Sequence, residues 1–104
     1  MKQTLTPAAP TSPAFTLAIG SAYLTIENNG ANIGARVALE RKVETDFHPV
    51  GVAWVVTPGG VRYLADDQGP DRMMTNPNAS MEWRFTATGL VSGEIAAFVI
   101  QETP

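Results

Sequence analysis

A chain of 104 residues makes one ordinary domain, since two halves would each be too small to bury a core without metals or disulfides. With 7 Lys+Arg against 10 Asp+Glu the formal net charge is -3, so no basic field favours a nucleic acid. Zero Cys excludes a disulfide scaffold, thiolate zinc, iron–sulfur clusters and cysteine nucleophiles, and the apolar runs fall far short of the roughly 20 residues that cross a bilayer.

Residues 1–14 carry Pro7, Pro10 and Pro13 among Thr, Ser and Ala. Prolines at this spacing forbid a helix and remove ladder donors, which favours an extended, polyproline-like chain. Only Leu5 offers much apolar area, so the segment reads as an N-terminal arm outside the core. No secretory apolar stretch follows Lys2.

The remaining residues, 15–104, read as strands. Phe15, Leu17 and Ile19 alternate with Thr16 and Ala18, and Ala22, Leu24 and Ile26 with Tyr23, Thr25 and Glu27. Asn28-Asn29-Gly30 ends that run with turn chemistry. Val37 and Leu39 alternate with Arg36, Ala38 and Glu40; helix formers cluster over Val37–Thr45, but their spacing favours a strand. Val50–Thr57 is nearly continuous in apolar residues, as in a strand covered on both faces or one bent by a bulge near Gly51. Pro58-Gly59-Gly60 signals a tight turn before Val61, Tyr63 and Ala65. Met81, Trp83, Phe85 and Ala87 keep period two, and Ile95–Gln101 is the last apolar run. The fold class expected is all-β: a two-sheet antiparallel β-sandwich, Ig-like or jelly-roll-like, of seven or eight strands, with a Pro-rich extended N-terminal arm. The stretch 65–78 lacks a strand signal and reads as a long loop.

Candidate chemistry is sparse. Asp66, Asp67 and Asp71 surround Gly69-Pro70. Hard oxygens on a turn can hold calcium, but the ligand spacing of an EF-hand is absent, and a solvated loop explains these residues. Asp46 and His48 lie close together without a third catalytic group, and Pro49 marks a turn or strand edge there. No nucleophile elbow or phosphate-binding glycine loop occurs. Asn78-Ala79-Ser80 fits the glycosylation pattern without a secretory signal to give it meaning. Trp54, Trp83, Tyr23 and Tyr63 could form a sugar-stacking platform, although Trp83 runs in phase with Met81 and Phe85 and so belongs to the core. Tyr23 is out of phase with Leu24 and Ile26 and faces water or a partner. Met73 and Met74 stand in a polar stretch, either folded over an open end of the sandwich or making adaptable contacts. Arg36, Glu40, Glu82 and Arg84 alternate in sign on outward faces, where they pair across strands and discourage edge-to-edge sheet growth.

Two stretches carry a resemblance. In the first, Val37 to Val50, the residues that matter are Leu39, Arg41, Phe47, Pro49 and Val50; in the second, Met81 to Gln101, they are Trp83, Arg84, Phe85, Ala87, Ser92 and Gly93. The chain resembles small β-sandwich structural proteins of tailed bacteriophages and prophages over roughly residues 20–101. It departs from them where an Asp-Gly-Gly turn with Trp is usual and Glu44-Thr45-Asp46 stands instead. The resemblance implies a non-enzymatic virion protein assembled in the bacterial cytoplasm, without catalytic residues, cofactor or metal. A capsid decoration (cement) protein is the leading expectation; its partners would be the major capsid protein and copies of itself as a trimer or dimer, with neither nucleic acid nor membrane. The alternatives are a tail, neck or fibre component and, from another class, a carbohydrate-binding module. The expected contacts are Leu5, Pro7, Pro10 and Phe15 on the arm, then Tyr23, Met73 and Met74.

Overall fold

The computed structural model describes residues 1–65 and 69–101. Its strands are β1 (Lys2–Leu5), β2 (Phe15–Thr16), β3 (Gly20–Asn29), β4 (Arg36–Val43), β5 (Asp46–Thr57), β6 (Gly60–Tyr63), β7 (Arg72–Asn76), β8 (Glu82–Thr88) and β9 (Glu94–Ile100). All pairings between them are antiparallel. They form a four-stranded sheet, order β1-β9-β3-β7, and a five-stranded sheet, order β2-β8-β4-β5-β6. The two pack face to face as a β-sandwich, and the described residues contain no helix.

Period-two alternation builds the core. Ala22, Leu24 and Ile26 of β3 and Ile95, Ala97 and Val99 of β9 face Val37, Leu39, Trp54, Trp83, Phe85 and Ala87 of the other sheet. Burying a side chain of the Leu, Ile or Phe type contributes about 1.5–3 kcal/mol, so this set supplies most of the drive to fold. Trp54 is fully buried and donates its indole N–H to the Pro70 carbonyl at 2.7 Å, which satisfies its one polar atom.

The Val50–Thr57 run is a bulged strand. Ala38 pairs with Ala53 and Glu40 with Pro49, so Val50, Gly51 and Val52 together lie opposite Leu39. Gly51 takes φ 81°, the left-handed value that a bulge demands and glycine supplies. Tyr63 donates its hydroxyl to the Gly51 carbonyl at 3.2 Å.

Residues 1–14 correct the expectation of a separate arm. The segment is extended, but it is built into the sandwich. β1 pairs with β9 from Lys2↔Phe98 to Leu5↔Ile95, and Leu5 is fully buried in the core. Thr6 and Ala9 exchange backbone hydrogen bonds of 3.1 Å, turning the chain around Pro7. It then crosses to the second sheet. Ala87 N–H donates to the Pro10 carbonyl (2.8 Å), Ser12 N–H to the Phe85 carbonyl (2.8 Å), and Phe85 N–H to Ser12 Oγ (2.9 Å). Phe15 stacks on Phe85 at 5.7 Å. Prolines fit here because an edge strand turns only alternate N–H groups toward its neighbour, and Pro10 contributes its carbonyl. The segment thus closes one side of both sheets.

The stretch 65–78 also differs from expectation. It contains β7, which pairs with β3 from Gly20↔Asn76 to Leu24↔Arg72 and places Met73 and Met74 on a strand.

Candidate interaction face

The outer faces of the two sheets have opposite chemistry. On the five-stranded sheet the charges neutralise one another. Arg84 Nε meets Glu40 Oε1 at 2.7 Å, Lys42 Nζ meets Glu82 Oε2 at 3.3 Å, and the Arg84 guanidinium covers the Phe47 ring at 4.2 Å. Thr11 and Thr86 share a hydroxyl contact of 2.9 Å. These side chains of the face hold one another.

The outer face of the four-stranded sheet is apolar at its middle. Because Ala22 and Leu24 point inward, Tyr23 points out. Cross-strand register then sets Ile100 on one side of it and Met73 on the other, so Ile100, Tyr23 and Met73 form a row across β9, β3 and β7. Met73 is 64% exposed and Ile100 54%. With Ser21 they line an open depression of about 460 Å³. Flexible Met and amphipathic Tyr are the side chains that adapt to a partner surface.

A second row runs alongside. Lys2 pairs with Phe98, and Phe98 with Thr25. The Thr25 hydroxyl donates to Asp71 Oδ1 at 2.7 Å at the β7 edge. Lys2 Nζ lies 5.8 Å from the Phe98 ring centroid, which confirms that both occupy this face. Asp71 also accepts a hydrogen bond from the Tyr23 hydroxyl. That bond first, then the one from Thr25 and the nearby Arg72 charge, hold the carboxyl below its ordinary value. The same bond to Asp71 raises the Tyr23 phenol above its ordinary value, since ionising it would set two anions side by side.

Tyr23 and Met73 come together on this face, while Met74 points inward and packs against the core. Leu5 is core rather than contact surface. Pro7 is exposed at its turn, and Pro10 and Phe15 are half-buried against β8. Phe98, Ile100 and Lys2 were missed. The run Ile95–Gln101 reads as uniformly apolar, and only pairing with β3 reveals which of its residues face out.

The remaining candidates resolve into structure. Trp54 and Trp83 are both buried, so they form no sugar platform. Tyr63 packs edge-on against Trp54 at 5.9 Å under the Arg72 guanidinium, 3.9 Å away. Asp46 and His48 are exposed on the outer half of β5. Asp66 and Asp67 lie outside the described residues, and among the described residues no group of three His, Asp or Glu side chains is placed to hold a metal ion. The buried Asn76 donates to the Leu17 and Ala18 carbonyls (2.9 and 3.0 Å) and accepts from the Trp83 indole (3.3 Å), a structural clamp.

No protein-family model, no curated protein and no solved structure matches this chain. The residues that carry the resemblance to phage sandwich proteins serve the framework: Leu39, Trp83, Phe85 and Ala87 are core, and Ser92 and Gly93 shape the β8–β9 connection. None of them lies on the apolar face.

Proposed function

We propose that this chain is a non-enzymatic structural protein of a bacteriophage virion, a capsid decoration protein that uses the outer face of the four-stranded sheet as a contact surface within the assembled shell. The observation that carries the reading is the Ile100–Tyr23–Met73 row, an apolar stripe on a face otherwise open to water. Beside it stands the resemblance of residues 20–101 to small phage sandwich proteins. The first 14 residues are consumed in closing the chain's own sheets, so the expected contacts pass from an arm to this face. A rigid wedge of this kind stabilises an assembled shell by mass action, since it binds the assembled lattice and not its separate subunits.

The test is the amount of this chain in purified particles of the phage or prophage that encodes it. On the order of hundreds of copies per particle supports decoration, as every lattice position repeats the same contact. A single ring's worth of copies moves the protein to the tail or neck. Its absence from particles overturns the reading.

A further inference from the structure

Resting on that reading, which makes this face the contact surface, we propose that its occupant is a second copy of the same chain, docked face to face about a two-fold axis that runs along the strands between β9 and β3.

Charge and shape in one row of side chains point to this occupant. Across the sheet the order is Lys2 at the β1 edge, Phe98, Thr25, then Asp71 at the β7 edge. A two-fold axis along the strands, through the middle of this row, reverses the order in the facing copy. Lys2 of each copy then lies over Asp71 of the other, and Phe98 over Thr25. In the next row Ile100 lies over Tyr23. The cation at one edge and the anion at the other are therefore complementary to the same surface turned over, which is the requirement for an isologous interface. Opposite charges at the rim and apolar side chains at the centre match the anatomy of protein–protein contacts.

The alignment is physically natural. Two twisted sheets packed face to face keep their strands within about 30° of each other, and an axis near the strand direction produces that arrangement. The outer face of the five-stranded sheet carries opposite charges as adjacent pairs, Arg84 with Glu40 and Lys42 with Glu82, rather than one sign at each edge.

Size sets the strength. Four strands span about 19 Å, and the two rows with their neighbours cover a similar length. The pair therefore buries on the order of 1,000 Å² in total, the lower limit for specific association. The dimer is accordingly weak, with Kd in the micromolar range. On a shell, where neighbours are held close, such affinity suffices.

Analytical ultracentrifugation of the purified full chain from about 1 µM to about 0.5 mM spans this range. A monomer–dimer equilibrium is expected. Ile100→Glu should leave a monomer at every concentration, with its circular dichroism unchanged because the position is solvent-facing. Lys2→Glu and Asp71→Lys should each raise Kd by about five- to tenfold, and the double variant should recover most of that loss. A monomer at the highest concentration, a trimer, a dimer that survives Ile100→Glu, or a double variant no tighter than either single one overturns the proposal. The copy number in particles is read separately. A monomeric chain found abundantly on particles sinks the dimer alone, and a dimer absent from particles sinks the virion assignment alone.

Discussion

The side-chain amide of Asn32 pairs with the peptide groups of Ser92 as one strand pairs with another: Asn32 Nδ2 donates to the Ser92 carbonyl at 2.8 Å, and Asn32 Oδ1 accepts from the Ser92 N–H at 3.0 Å. Asn32 Oδ1 accepts also from the Val91 N–H at 2.9 Å, and Nδ2 donates to Asn28 Oδ1 at 3.0 Å. Asn32 is fully buried, so one side chain ties the β3–β4 loop to the β8–β9 connection. Asn32→Ala strands at least two backbone donors and should cost about 2–6 kcal/mol in urea unfolding, at about 1–3 kcal/mol per orphaned buried group. A loss within error would mean that solvent replaces these bonds freely.

Two glycines with similar backbone angles should respond differently to the same substitution. Gly93 has φ 60°, and a Cβ there would lie 2.2 Å from the Asn29 carbonyl oxygen. Gly51 has φ 81° with open space around it. Gly51→Ala should therefore cost only the left-handed penalty, about 1–2 kcal/mol. Gly93→Ala adds a backbone clash and should lose clearly more. Equal midpoints for the two variants would contradict the close approach of the loops.

Removal of residues 1–14 tests their role in the fold. Leu5→Ala alone should cost about 2–5 kcal/mol, the range for a buried leucine. Deleting the whole segment also uncovers β9 and β8 and should abolish cooperative unfolding. A truncated chain with an unchanged melting curve would restore the detached arm that the prolines suggest.

Tyr23 and Asp71 make a paired prediction in pH. The raised phenol means that its bond to Asp71 contributes fully below the ordinary tyrosine value near 10 and is lost as pH climbs through the higher folded value. The lowered carboxyl works the other way: its contribution is present above the ordinary value of 3.8 and fades as pH falls through the lower folded value. Ultraviolet titration should show one tyrosine ionising late, and Asp71→Asn should bring that transition to lower pH. Unchanged titration in Asp71→Asn would rule out the bond as the cause.

Much of the framework is legible in the residues themselves. The alternation of Trp83, Phe85 and Ala87 assigns β8 and its inward face, and Gly51 inside an apolar run marks the β5 bulge. β7 is hidden, because Arg72-Met73-Met74-Thr75-Asn76 lacks alternation and sits among Asp, Gly and Pro. Its strand character comes from hydrogen bonds to β3 rather than from its own composition. Prolines likewise disguise residues 1–14, whose edge position tolerates them.

Local sequence thus determined what depends on neighbours within a few residues: the period of each strand, the turns, and which side of most strands turns inward. Register between distant strands belongs to the tertiary structure alone. A strand's outward residues are known only in its own frame. Hydrogen bonding across β1, β9, β3 and β7 is what sets Lys2, Phe98, Thr25 and Asp71 in one line, across nearly the whole length of the chain. The face arises from that alignment, because side chains 46 to 96 positions apart become neighbours only when backbone pairing spaces their strands about 4.8 Å apart.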